Sequence, residues 1–215
     1  TTALKMFGPD YLDFINPADG RIHADFRQIG TPTGRFTCAN PNLQQVPGEE
    51  QYRSSFQAPG AGRSLIIADY SMIELRIMAE FSLDEKMLEA FQNNIDLHQF
   101  TGSHAFGLPL EAAAKGTEQR QIGKMLNFGT GYGAAAPRFA AISGLSIDKS
   151  RESLAAFWAL YKGLDKYMKE CEVRAVEENE VHSFSGRTWR LDYDPSDQQS
   201  IGRVQRIGRN FPIQA

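Results

Sequence analysis

Apolar residues are spaced differently in three stretches of the chain, and each spacing predicts different elements. Residues 16–60 hold few periodic apolar positions and many Gly, Pro, Asn and Gln. Short extended pieces such as Arg21–Phe26 stand there between turn signals such as Asn40-Pro41-Asn42. Ser64-Leu65-Ile66-Ile67-Ala68-Asp69 is a short apolar run ending in a carboxylate, and its length and flanking glycine predict a buried strand. Ile73, Ile77 and Phe81 then recur every fourth residue with Leu75, Met78 and Ala79 between them, which is helical spacing. From Asp84 to about Lys169 helical spacing dominates: Leu88–Phe91, Ala112–Ala114, Thr117–Phe128 and Lys149–Tyr167 suit helices joined by short loops. Val181–Leu191 reads as a hairpin turning at Ser185-Gly186, Asp192–Ser200 as a polar loop, and Ile201–Asn210 as a last helix. The sum is an α+β fold, a small mixed sheet at both ends of the chain with helices inserted between them.

Composition narrows this picture more than it enlarges it. With 215 residues the chain can bury one sizeable core or two small lobes. No apolar run approaches the ~20 residues that span a bilayer, and Thr1–Asp10 has no basic segment leading into an apolar one, so neither membrane span nor signal peptide is expected. An opening Thr in place of Met is expected of a fragment or a processed chain. The two cysteines, Cys38 and Cys171, have no zinc-ligand spacing and read as reduced thiols of a cytoplasmic protein. A net charge of −3 gives no bulk attraction to nucleic acid. Any basic surface must be local, at Arg203, Arg206 and Arg209 or along Arg120–Lys124, with Glu170–Glu180 as an acidic solvated helix face.

Three segments carry candidate chemistry. In Asp69-Tyr70-Ser71-Met72-Ile73-Glu74-Leu75-Arg76, a strand end would hold Asp69 rigidly enough to fix a divalent metal against a phosphate. The same Asp could simply cap the following helix. In the second segment Thr117 can cap a helix on which Arg120, Lys124, Phe128 and Tyr132 fall every fourth residue. Two cations followed by two aromatics on one stripe suit a triphosphate and a base with its sugar, although an ordinary amphipathic helix would also show them. Glycines at 129, 131 and 133 leave room there for a base pair to approach the backbone. The third segment, Thr33-Gly34-Arg35-Phe36 with Asn40-Pro41-Asn42-Leu43-Gln44-Gln45, offers donors for minor-groove acceptors, or is a polar loop. Gly123-Lys124 lacks the glycine spacing of a P-loop, and Thr130-Gly131-Tyr132-Gly133 lacks the membrane helices of a channel filter. The histidines lack metal spacing, and His104 and His182 read as structural.

Together and in this order these segments resemble the family A DNA polymerases. Thr33–Arg35 with Pro41–Gln44 is similar to the family's early palm motif, Asp69–Arg76 to its motif A, and Arg120–Gly133 to its motif B. Asn210-Phe211-Pro212-Ile213-Gln214 is similar to the segment leading from fingers back to palm. The resemblance implies a partial palm sheet over 1–76, fingers over 77–200 and a return to the palm over 201–215. It implies template-directed DNA synthesis from dNTPs on primer-template DNA, with two Mg2+ ions held by Asp69 and the Tyr70 carbonyl. Arg120, Lys124 and His98 would hold the triphosphate and Phe128 would pack on the sugar. Glu74 would exclude ribonucleotides and hydrogen-bond Tyr132, which holds the templating position. Arg35, Asn42, Gln44, Arg206, Asn210 and Gln214 would touch DNA. Two departures stand out. Met72 replaces the family's usual Gln, and no His in the sequence is followed by Asp, so the family's His-Asp-Glu motif C is missing. The expectation is an incomplete polymerase domain, inactive alone and completed by a C-terminal segment of the same or another chain. The alternative is a DNA- or nucleotide-binding fragment without catalysis. An RNA polymerase of the same superfamily is disfavoured by Glu74 and motif B.

Overall fold

The computed structural model describes residues 8–131 and 133–215. The chain divides into two compact units, Thr1–Tyr70 and Ser71–Ala215. In the first, β1 (Ile15–Asn16) pairs with β2 (Arg21–Ile22), and β3 (Asp25–Arg27) with β4 (Thr37–Ala39), both antiparallel. The β1–β2 turn is closed by side chains: Asn16 Oδ1 accepts from the Ala18 amide and Asp19 Oδ1 from the Arg21 amide. Gly20, at φ +67°, takes the left-handed position beside them. The expected single piece Arg21–Phe26 is therefore two strands of two different hairpins, broken at His23-Ala24. A short helix, α1 (Glu50–Arg53), follows.

Ser64–Asp69 is not the buried strand that its composition predicts. It is irregular and exposed, with Ile66 94% and Ile67 86% accessible. An apolar run becomes a strand only where a neighbour takes up its backbone hydrogen bonds. Among the described residues every ladder is two-stranded and none includes this segment, so its backbone stays in solvent. The expected mixed sheet is accordingly three separate antiparallel pairs.

The second unit is mostly helical: α2 (Ile73–Ser82), α3 (Glu85–Gln92), α4 (Leu97–Ala105), α5 (Glu118–Gly131), α6 (Ala136–Ser143), α7 (Ile147–Leu160), α8 (Lys162–Glu178) and α9 (Gln198–Gln214). Between α8 and α9 lies the expected hairpin, β5 (Glu180–His182) with β6 (Thr188–Arg190), turning at Gly186. The single helix predicted over Lys149–Tyr167 is two, because Asp84 imposes a break. Its carboxylate is buried and caps two helices: Oδ1 accepts from the Lys86 and Met87 amides, Oδ2 from those of Gly163 and Leu164. A Cβ on Gly163 would lie 2.8 Å from Asp84 Cα, so glycine is required at this approach. The last helix runs past the predicted Asn210, carrying Pro212 within it. The main core gathers Leu75, Met78, Leu97, Ile122, Leu126, Phe139 and Leu164; a second cluster joins Val181, Val204 and Phe211. Among the described residues no helix is long and apolar enough to cross a membrane.

Candidate functional site

In the second unit the candidate nucleotide-binding residues are arranged where α4 crosses α5. Two glycines let the backbones touch: a Cβ on Gly123 would fall 2.1 Å from the His98 carbonyl, and one on Gly102 would fall 2.3 Å from that of Gln119. Thr117 caps α5 as expected, its Oγ1 accepting from the Arg120 amide. Arg120 is pinned across the crossing. Its Nε and Nη2 donate to Asp96 Oδ2 at 2.9 and 2.7 Å, while Asp96 Oδ1 caps α4 by accepting from His98 and Gln99. Burial pushes the Asp96 carboxyl up, but Arg120 and the capping amides outweigh it and hold the group below its ordinary range.

One turn along α5, Lys124 is exposed, and one turn further Phe128 lies half-buried with its ring 5.7 Å from that of His98. His98 is only 6% accessible. Burial lowers its pKa; Asp96 opposes the shift, and the charges of Arg120 and Lys124 reinforce it. His98 Nδ1 meets Asn127 Nδ2 at 2.9 Å. On the other side of α5 a groove of about 320 Å3 opens against α6, lined by Lys124, Met125, Phe128, Gly129, Arg138 and Ile142. The structure thus joins Arg120, Lys124, Phe128 and His98 on one crossing, with a cationic end and an aromatic end. Tyr132, the fourth member of the expected stripe, lies outside the described residues. Glu74 is half-buried in the first turn of α2, after Met72 in a left-handed conformation.

The basic candidates on α9 divide by partner. Arg209 is ion-paired with Glu172, and Arg203 donates to the Asp192 carbonyl. Arg206 is exposed and shares one helix face with the half-buried Asn210 and Gln214. A Cβ on Gly133 would meet Arg209 at 3.4 Å and Arg206 at 3.7 Å, so this end of α9 lies against the segment after α5.

In the first unit Arg35 lies in the loop between β3 and β4, and Asn42 and Gln44 lie just after β4. The Arg35 amide donates to Thr31 Oγ1, Asn42 Oδ1 accepts from the Gln44 amide, and Gln44 Nε2 donates to the Phe36 carbonyl. Asp69 and Tyr70 are both exposed. Among the described residues no group of three His, Cys, Asp or Glu side chains could hold a metal. One exposed carboxylate with a neighbouring carbonyl does not amount to a two-ion site, since each divalent ion needs anionic oxygens to offset its repulsion from the other.

A sequence profile of DNA polymerase family A matches residues 4–215. The chain belongs to that family. It is 35% identical to DNA polymerase I of Pseudomonas aeruginosa over 205 residues, 93% of this chain and 22% of the relative. It is 34% identical to DNA polymerase I of Caldicellulosiruptor bescii over 218 residues, 100% of this chain and 25% of the relative. The chain thus spans about a quarter of these relatives' length. It also resembles the polymerase domain of Pol1 from M. smegmatis, solved in complex with DNA primer-template and dNTP. That match has a TM-score of 0.85 and 31% identity, over 99% of this chain and 38% of that one. The α+β fold expected from the motifs is therefore the fold of a family A polymerase domain.

Sequence reasoning missed Asp96 and the Gly102–Gly123 contact, and gave Asn127, within the Arg120–Gly133 motif, no role of its own. Asp before an apolar helical run is a readable capping signal, and a lone glycine in a helical pattern signals close packing. The partner across the crossing, in contrast, has no local signature.

Proposed function

We propose that this chain supplies the nucleotide-gripping fingers and the first part of the palm of a template-directed DNA polymerase. The palm would cover 1–76 and 201–215, and the fingers 77–200. The observation that carries the reading is the α4–α5 crossing, where an exposed Lys124 and a pre-positioned Arg120 flank an aromatic ring and a near-buried imidazole. Lys124 and the free edge of Arg120 donate to the dNTP triphosphate and offset the charge that develops on the departing pyrophosphate. Phe128 packs on the sugar, Glu74 blocks a 2′-hydroxyl, and Tyr132 holds the templating position. Arg206, Asn210 and Gln214 on one helix face, and Arg35, Asn42 and Gln44 on the two loops flanking β4, contact primer-template DNA. Divalent ions, Mg2+ in this reading, would supply Lewis-acid charge, with Asp69 and the Tyr70 carbonyl as one part of the ligand set. The remaining carboxylate must come from outside these 215 residues. For the same reason the chain in isolation acts as a binding module.

The test is a pair of titrations. Lys124→Ala should weaken dNTP binding at least tenfold, about 1.4 kcal/mol, and leave primer-template affinity nearly constant. A variant that mainly loses DNA affinity, with a shallower salt dependence, would move Lys124 to the DNA backbone.

A further inference from the structure

Asn127 lies in α5, buried and hydrogen-bonded to three residues of α4 at once. Its Nδ2 is 3.3 Å from the Leu97 carbonyl and 2.9 Å from His98 Nδ1, while its Oδ1 is 2.8 Å from Thr101 Oγ1. Thr101 Oγ1 is in turn 2.7 Å from the hydroxyl of Tyr161, at the α7–α8 junction. A backbone carbonyl can only accept, so the Asn127 atom facing Leu97 must be the NH2 group. The same NH2 then donates to His98 Nδ1, which must be unprotonated to accept.

We infer that Asn127 is a positioning residue that holds His98 in the tautomer with its proton on Nε2, so that a neutral imidazole offers a donor to the triphosphate. The inference rests on the triphosphate reading given above. Nε2 has no hydrogen-bond partner among the described residues. The chain of contacts makes the arrangement rigid. Tyr161 and Thr101 fix the amide, the amide fixes the ring, and the ring packs on Phe128. Asp96 faces His98 from the cap of its own helix, and Arg120 and Lys124 face it from α5. The two cations and the burial disfavour a charged ring, so the tautomer, rather than a third positive charge, decides what the site presents.

The measurement is long-range 15N–1H correlation spectroscopy of the histidine rings in the 215-residue chain, with His98 assigned by its loss in His98→Gln. The expected spectrum shows a protonated Nε2 and the downfield shift of an unprotonated Nδ1. Asn127→Asp, whose carboxylate accepts from Nδ1, should reverse the pattern. Thr101→Val, which releases the amide at the other end, should give a mixture of tautomers. A parent His98 protonated on Nδ1, or a pattern unchanged in a folded Asn127→Asp, would overturn the inference. Should that variant fail to fold, the parent spectrum decides alone. Addition of dATP should shift the Nε2 signal. The expected tautomer without any dATP response would overturn the triphosphate reading and leave the tautomer assignment standing.

Discussion

Gly123→Ala separates this account from one in which α5 is an ordinary surface helix. On propensity alone the change should stabilise a helix interior by about 1 kcal/mol. At this crossing the new Cβ would lie 2.1 Å from the His98 carbonyl oxygen and 2.6 Å from the Gly102 amide nitrogen. Both are backbone atoms of α4, so no rotamer relieves the clash and the helices must part by about 1 Å. Leu97, Ile122 and Leu126 are buried on these two helices. Each contributes roughly 2 kcal/mol of burial, and a gap of that size forfeits a quarter to a half of the contact, about 1.5–3 kcal/mol in total. Loosening the His98–Asn127 bond adds about 1 kcal/mol, which cancels the propensity gain. The expected net loss is about 1.5–3 kcal/mol, a fall of roughly 3–12 °C in Tm for a domain of this size. Gly129→Ala is the internal control. It lies on the same helix, but its Cβ would sit 3.6 Å from Ala134 and 3.8 Å from Phe139, ordinary contact distances. It should raise stability by about 0.5–1 kcal/mol. Thermal melts of the three proteins decide the matter. A Gly123→Ala variant as stable as the parent, or a Gly129→Ala variant as damaged as Gly123→Ala, would refute the helix-crossing argument.

Two other predictions concern the same crossing. If Phe128 packs on the sugar as proposed, Phe128→Tyr, assayed in a chain completed with a segment carrying the His-Asp-Glu run, should improve use of dideoxynucleotides, because the added hydroxyl would fill the space left by the missing 3′-hydroxyl; an unchanged termination ratio on a primed template counts against it. His98 has a lowered pKa, so below its ordinary value of 6.5 the unfolded chain binds a proton that the folded chain refuses. Its contribution to stability is therefore complete above that value and is lost as pH falls from there toward the folded pKa. Between about pH 7.5 and 5.5 the urea midpoint of the parent should fall more than that of His98→Gln, and equal falls would show that His98 does not titrate as described.

The parts of the fold written in local periodicity were legible. Ile73, Ile77 and Phe81 announced α2, the spacing of Arg120, Lys124 and Phe128 announced α5, and Ser185-Gly186 announced the hairpin turn. What failed depended on residues far away in the chain. Lys149–Tyr167 reads as one helix because nothing nearby reveals that Asp84, 79 residues before Gly163, caps a second helix start there. Ser64–Asp69 has the composition of a strand but gains no pairing partner among the described residues. At the site, the stripe of cations and aromatics was readable, whereas the contacts that position it were not. Asp96 holds Arg120 from 24 residues away, and Asn127 reaches His98 across a glycine contact. Side chains on one helix face recur in pattern; those that hold them in place obey only tertiary geometry.

The central claim, that Asp69 belongs to a polymerase site these residues do not complete, is tested most directly by primer extension in Mg2+. The purified 215-residue chain is assayed alone and with a supplied segment carrying the His-Asp-Glu run, as parent and as Asp69→Ala. The account predicts no extension by the chain alone, and extension in the mixture that is lost in Asp69→Ala. Extension by the chain alone that Asp69→Ala abolishes would contradict it, since a second metal carboxylate would then lie within these residues.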